Sequence, residues 1–418
     1  LLLIFSVLGN EFGKGINSSL FIVESMPTLD LAMPTALLLV VLTALFLNKR
    51  AEKKLMATVD QKEFKTRDIL LLLVFISVMV SVIAYTSMVN PGGLFPNVLL
   101  VLFLSSYVTL LFTFSYVFSG LKKTYAQLIS VGFGLCSLVA GLLSLIEPLA
   151  DSYTNFRVIA FIIFSLLCFG VAVYEQIKSV SKQRWYIAAQ PPALFVLLFL
   201  FFTVFYTGSI NVWFPALLDV FAFTFAILII MYLSSMFTWK TVSIFAILLT
   251  LLDIVLVFSG PMVAAAETFT GLGLPVLVYL PNIPLILNEV GGFLLSAPWI
   301  PISFAERLVA ILSETGGFLV RGLGLGDFFF AGILAVQTYK KFGQKTAIIS
   351  IVAMALSFGI WEAFLPEITG FFNIRGFPAT VCIITGWIPI ILWKLLTTKN
   401  KASSITEEPV QPPTGPLT

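Results

Sequence analysis

An all-α polytopic membrane protein of about eleven transmembrane helices is predicted by three observations. Of 418 residues, 59% are hydrophobic and only 11% are charged, with a mean hydropathy of +1.04. A soluble domain carries roughly 25% charged and 45–50% apolar residues, so this chain has too little polar surface to clothe a water-soluble fold. The apolar residues are gathered in runs of about 18–25, long enough to cross a bilayer as helices. Lys and Arg are concentrated in alternate loops between those runs, with the intervening loops nearly free of them, as in a chain threaded back and forth through a membrane.

The runs lie, in order, at 31–47, 69–89, 98–120, 126–146, 157–175, 188–207, 212–234, 241–260, 318–337, 346–363 and 377–395. Leu1–Leu8 is apolar but too short to span; with leucine at position 1, it is read as the remnant of a longer or processed leader. Loop 48–67 holds Lys49, Arg50, Lys53, Lys54, Lys62, Lys65 and Arg67. Lys122 and Lys123, then Lys178, Lys182 and Arg184, then Lys240, then Lys340, Lys341 and Lys345 mark every second loop thereafter. Lys394, Lys399 and Lys401 follow the last run, while loops 90–97 and 208–211 hold no Lys or Arg. Basic loops stay cytoplasmic, which predicts the N-terminus outside and the C-terminus inside. Residues 261–317 are expected to form a long external loop, rich in Gly and Pro yet apolar enough (Trp299-Ile-Pro301 among them) to lie on or re-enter the membrane. Residues 396–418 are polar and Pro-rich and are expected to form a disordered cytoplasmic tail. Asn17-Ser18-Ser19 is a glycosylation sequon on the outer side.

Composition also bounds the chemistry. The net charge of +3, spread over short loops, makes no nucleic-acid footprint. The absence of histidine excludes Ser-His-Asp and Cys-His catalysis, His-ligated zinc and His-ligated haem. Cys136, Cys168 and Cys382 are far apart in apolar runs, without metal-ligand or disulfide spacing. No metal or cofactor is expected, and any chemistry must rest on carboxylates, hydroxyls or amides.

Carboxylates inside the hydrocarbon cost several kcal/mol on insertion scales and are functional candidates by default. Asp219, Asp253 and Asp327 lie inside apolar runs. At 1.5 Å per residue, Asp253 (about thirteen residues into its run) and Asp327 (about ten into its own) are both expected near the midplane on antiparallel spans. Asp219 falls nearer the outer face. Two opposed carboxylates in a low dielectric do not both ionise easily, so the pair serves as general acid and general base together. The same pair also suits a helix-packing role or a cation or proton relay. Asp327 ends Gly322-Leu-Gly324-Leu325-Gly326-Asp327. Glycines at alternate positions each cost about 1 kcal/mol in a helix relative to alanine. They permit close backbone approach and a loosened helix end, or ordinary small-residue helix packing.

These residues resemble the intramembrane aspartyl proteases that include presenilin and signal peptide peptidase, whose signature is an Asp in one span, Gly-x-Gly-Asp in the next and Pro-Ala-Leu in the last. The chain shows Leu251-Leu252-Asp253, Gly324-Leu325-Gly326-Asp327 and Pro378-Ala379-Thr380 in that order. Leu274–Pro281 is similar to the Pro-bounded, strand-prone segment that signal peptide peptidases carry after their first catalytic span. The resemblance covers about residues 241–395. It implies a nine-helix core over 98–395 (scaffold spans 98–240, catalytic spans 241–395), with residues 1–97 contributing two extra spans. It further implies an intramembrane aspartic endopeptidase with Asp253 and Asp327 as the catalytic pair. Gly324, Leu325, Gly326, Pro378, Ala379 and Thr380 would shape the substrate site, and no cofactor is needed. Two residues depart from the family: Leu252 stands where it has Tyr, bearing on the geometry of Asp253, and Thr380 stands where it has Leu, bearing on substrate access. Pro192-Ala-Leu194 and Pro215-Ala-Leu217 match the third motif by letter but precede both aspartates and are read as chance.

The predicted orientation is that of the signal peptide peptidase branch. The implied partners are transmembrane-helix substrates or signal peptides with a cytoplasmic N-terminus, in a lipid bilayer. Short loops and the lack of a retention signal point to a prokaryotic, archaeal-type cytoplasmic membrane. Three other readings stay open. One is an ion- or proton-coupled transporter using the same aspartates. Another is a prepilin-peptidase-like protease, which would have fewer spans and an Asp nearer the cytoplasmic face. The third is an inactive relative that binds membrane helices without cutting them.

Overall fold

The computed structural model describes residues 29–58, 63–89, 94–120, 122–177, 184–208, 211–281, 284–287, 293–295, 320–372 and 377–406. The Leu1–Leu8 run, the Asn17 sequon, Trp299-Ile-Pro301 and residues 407–418 lie outside them. A short strand β1 (Leu29–Asp30) precedes helices α1 (Ala32–Thr58), α2 (Thr66–Val89), α3 (Leu94–Phe118), α4 (Lys123–Leu143) and α5 (Thr154–Ile177). Helix α6 (Trp185–Ala188) leads into α7 (Gln190–Phe199), which loosens into a wider turn at Leu200–Val204. A similar turn at Trp213–Leu217 opens α8 (Leu218–Ser234), followed by α9 (Trp239–Phe258) and α10 (Pro261–Gly271). Strands β2 (Leu277–Pro281), β3 (Pro284–Leu287), β4 (Phe293–Leu295) and β5 (Val320–Gly324) come next. Helices α11 (Leu325–Phe342), α12 (Gln344–Phe372) and α13 (Ala379–Thr406) complete the chain.

Ten helical stretches among the described residues are long and apolar enough to cross a membrane. The chain is therefore an all-α, multi-pass integral membrane protein, and the ten match ten of the expected runs. The run at 318–337 differs: Val320–Gly324 is strand and the helix begins only at Leu325. Gly322 and Gly324 lower helix propensity there, and pairing with β2 satisfies the backbone that a helix would otherwise have satisfied. Two further expectations are corrected. The loop from 261 is not irregular throughout, because Pro261 occupies a favoured first helical position and Ala264-Ala-Ala-Glu267 continues as α10. Residues 396–406, expected in a disordered tail, extend α13, where no Gly or Pro intervenes until Pro409.

Helix α11 is the centre of the bundle, packed against α1, α8, α9, α12 and α13. Its residues from Phe330 to Thr338 are all buried. Because it meets protein rather than lipid on every side, it tolerates polar groups that a lipid-facing span would not. Gln337 Nε2 donates to the carbonyls of Ser234 and Phe237, each at 2.8 Å. Trp387 Nε1 donates to Thr338 Oγ1 at 3.0 Å. Small residues set the close approaches: a Cβ on Gly386 of α13 would stand 2.4 Å from the Ala353 carbonyl of α12. A single residue, Gly343, at φ +86°, joins α11 to α12.

The α4–α5 hairpin packs by the same logic. Ala126, Ser130, Gly134, Ser137 and Gly141 form the buried stripe of α4. Ser137 and Ser165 hydroxyls donate across to the Phe161 and Gly134 carbonyls at 2.7 and 2.8 Å. Lipid tails are as apolar as Leu, so close packing and interhelical hydrogen bonds hold such a pair together.

Two small sheets lie between the helices. Strand β2 pairs antiparallel with β5, Leu277 opposite Gly324 and Pro281 opposite Val320. Strands β1, β3 and β4 pair antiparallel in that order. The expected strand-prone segment 274–281 is thus strand from Leu277.

Candidate active site

Helix α9 starts from a reciprocal cap, Thr238 and Thr241 each accepting the other's backbone N–H at 3.3 and 2.8 Å. Its buried residues recur at helical spacing: Thr241, Val242, Phe245, Ala246, Thr250, Asp253 and Leu256. Asp253 is thus one more member of the inward stripe, 7% exposed, while Leu251, Val255 and Phe258 face outward. Leu252 packs against the core.

Asp327 is the third residue of α11 and accepts the backbone N–H of Gly324, the residue that caps the helix. This is the return half of a capping box, a carboxylate at the third position reaching back to the cap. The crowding explains Gly324, since a Cβ there would stand 3.1 Å from Asp327 Oδ2. Its φ of −67° is open to any residue, so space and not backbone freedom selects glycine. Gly322 lies under the Tyr279 ring, where a Cβ would meet Cε1 at 3.1 Å. A Cβ on Gly326 would meet nothing within 4 Å, so the missing side chain leaves room there. Leu325 is buried, and its N–H donates to the Val276 carbonyl at 2.9 Å, tying the helix start to the sheet.

The last helix supplies the third wall. Pro378 is buried, and its carbonyl accepts the Val381 N–H at 3.1 Å as α13 begins. Thr380 Oγ1 donates to Asp253 Oδ2 at 2.6 Å, and Thr380 N–H points to the same oxygen at 3.4 Å. Asp253 therefore satisfies a donor in the first turn of α13 as well as the threonine hydroxyl. A leucine at 380 would supply no hydroxyl, so this departure from the family pattern acts on the carboxylate directly.

Asp253 and Asp327 line one cavity of about 700 Å³. Gly322, Gly324, Leu325, Gly326 and Ala379 line it too, whereas Pro378 and Thr380 stand behind the wall. Asp327 sits in the first turn of α11, and Asp253 sits five residues from the end of α9. The two remain matched because these are neighbouring ends of antiparallel helices. Asp219 is placed elsewhere, beyond β2, where its Oδ1 accepts the Tyr279 N–H at 2.7 Å. Neither Pro192-Ala-Leu194 nor Pro215-Ala-Leu217 lines the cavity.

Glu362 of α12 also lines the cavity, at 4% exposure, and the sequence reading passed over it. The signal was there: a carboxylate within Gly359-Ile-Trp-Glu362-Ala-Phe-Leu365 meets the same intramembrane rule as Asp253. Among the described residues, no group of three or more Asp, Glu, Cys or His side chains is arranged to hold a metal ion. The arrangement offers two carboxylates facing a shared space, one steered by a hydroxyl and the other by a backbone N–H, beside an exposed strand edge. No family model, curated protein or solved structure matches this chain.

Proposed function

We propose that this protein is an intramembrane aspartic endopeptidase of the presenilin and signal peptide peptidase type. The observation that carries the reading is that Asp253 and Asp327, from α9 and α11, line one cavity together with the β5 backbone. In the proposed reaction one carboxylate is ionised and the other protonated, as expected of two acids sharing a low-dielectric site. The ionised one takes a proton from water as the oxygen attacks the peptide carbonyl carbon, and the protonated one gives its proton to the carbonyl oxygen. Collapse of the tetrahedral intermediate returns a proton to the leaving amine. Thr380 would hold the Asp253 carboxylate in orientation during these transfers.

A helical amide is hydrogen-bonded and shielded, so the substrate must unwind before it is cut. The extended segment would pair by strand addition next to Gly322. The full proposal has eleven crossings, with α11 as the one that enters as a strand, and a nine-helix core from α3 onward. The N-terminus faces outward and the C-terminus the cytoplasm of an archaeal-type cell membrane. Substrates are transmembrane helices or signal peptides with a cytoplasmic N-terminus.

The test is cleavage of a fluorescent single-span substrate, N-terminus inside, in proteoliposomes across roughly pH 4 to 8. The wild type is expected to give product, and the Asp253→Ala and Asp327→Ala variants none. Product from both variants would overturn the catalytic pair. No product from the wild type would overturn the protease reading and leave the aspartates to a transport or helix-binding role.

A further inference from the structure

Asp219 is an intramembrane carboxylate that the catalytic reading leaves unused, and its hydrogen bond to Tyr279 falls on a defined edge of the β2–β5 sheet. Leu325 N–H donates to the Val276 carbonyl, so Val276 and Leu325 form a bonded rung of the ladder. Bonded and non-bonded pairs alternate along an antiparallel ladder. In the observed register, with Tyr279 opposite Gly322, that pair is a non-bonded one. The N–H and C=O groups of both residues then point away from each other, toward the two outer edges of the sheet.

The two outer edges are treated differently. At the β2 edge the Tyr279 N–H is taken by Asp219 Oδ1 at 2.7 Å. Asp219 is 9% exposed and sits in the first turn of α8. At the β5 edge Gly322 is exposed and lines the cavity that holds both catalytic candidates. A two-stranded sheet with open backbone groups on each side would accept an added strand on either one.

We propose that Asp219 is a positioning residue that closes the outer edge of β2, so that an extended substrate segment is admitted only along β5, beside Asp327. The substrate part of this proposal rests on the protease reading, whereas the closed edge rests on the hydrogen-bond geometry alone. Asp219 touches no reacting atom. It acts by denying the alternative register, in which a segment on β2 would lie one strand further from Asp327.

Two measurements in bilayer nanodiscs test the latch without cleavage. The first is hydrogen exchange at the Tyr279 amide. Asp219→Ala is expected to lose about ten- to a hundredfold in protection, as for a buried N–H left without its acceptor. Asp219→Asn, which keeps Oδ1 as an acceptor, should retain it. The second uses a single-span peptide carrying a benzophenone, added to protein with Asp327→Ala so that nothing is cut. Adducts are expected on 320–324 alone when Asp219 is intact or carries the Asp219→Asn change, and on 277–281 as well in the Asp219→Ala variant. Unchanged Tyr279 protection in Asp219→Ala, or the same adducts whatever stands at 219, overturns the proposal, as do adducts on neither strand. Unaltered exchange in α11 and α13 shows that the variants are folded. A wild type that cuts nothing while the edge behaves as described would defeat the protease reading and leave the latch standing.

Discussion

The α4–α5 hairpin and the cavity helices both bury carboxylates, but the hairpin gives Asp151 and Glu175 a cation each, whereas Asp253 and Asp327 meet neutral donors. In the hairpin, Asp151 and Arg157 pair at 3.2 Å with side chains 1% and 0% exposed. Thr207 and Tyr153 N–H groups complete the carboxylate at 3.1 and 3.0 Å, and the guanidinium stacks on the Phe202 and Tyr206 rings. At the other end of α5, Glu175 meets Arg184 at 3.0 Å and accepts the Tyr186 hydroxyl. Asp253 and Asp327 at the cavity, and Asp219 beyond β2, have no Lys or Arg at ion-pair distance among the described residues. Their partners are N–H and hydroxyl donors instead. Paired charges hold a scaffold together because breaking them exposes an uncompensated ion. Carboxylates that meet only neutral donors stay free to exchange protons, at the cost of stability, which is the usual trade at a reacting site.

The largest expected effect breaks the comparison cleanly in two. Asp253→Asn or Asp327→Asn should lower the cleavage rate by roughly 10⁴-fold, the scale of losing one member of a catalytic set, while the unfolding midpoint stays level or rises. Asp151→Asn should do the reverse, leaving the rate within about threefold and costing roughly 2 kcal/mol, on the low side for a buried pair because it sits at a helix end. Initial rates and thermal unfolding on the same preparations read both. If Asp151→Asn silences cleavage as fully as the cavity variants do, the division into scaffold and site is wrong.

A smaller effect sharpens the site half. Thr380→Val keeps the volume and removes the donor to Asp253, so the rate should fall about tenfold to thirtyfold, the worth of a hydrogen bond to a charged group. Thr380→Ser should restore most of it. A fully active valine variant would mean that the hydroxyl does not orient the carboxylate.

The smallest concerns pH and the scaffold half. Burial pushes the Asp151 carboxyl up, but the Thr207 and Tyr153 N–H groups and the Arg157 guanidinium outweigh it and hold the carboxyl below its usual range. A group depressed on folding adds stability above its ordinary value of about 4, and that stability is lost as pH falls through the depressed value. The unfolding midpoint should therefore drop on acidification below about pH 4, and drop less in Asp151→Asn. Equal slopes for the two proteins would remove Asp151 from the account.

Much of this plan is legible in the sequence, and the parts that are not share a cause. Hydropathy marks ten of the membrane-crossing stretches because lipid-facing helices must be apolar at nearly every outward position. It blurs β5 into α11, since Val320–Gly324 is as apolar as a helix start and only its glycines hint at strand. Asp253 and Asp327 stand out as isolated charges in apolar runs. What positions them is invisible locally: Thr380 lies 127 residues from Asp253, and Tyr279 lies 60 from Asp219. The missed helix α10 carried a readable sign, proline followed by an alanine run, that the Gly- and Pro-rich surroundings masked.

The one-residue joint at Gly343 gives α11 the mechanics of a lever. Its positive φ of +86° is a conformation glycine adopts freely, and the Gly343 N–H is tied to the Tyr339 carbonyl at 2.9 Å. The single residue between them keeps the adjoining ends of α11 and α12 together, while Asp327 rides on the far end of the arm. From residue 343 to residue 327 the arm measures about 24 Å at 1.5 Å per residue, so a tilt of about 5° carries the carboxylate about 2 Å. That stroke spans the difference between a hydrogen bond and none, and the five helices packed around α11 are what hold the arm still.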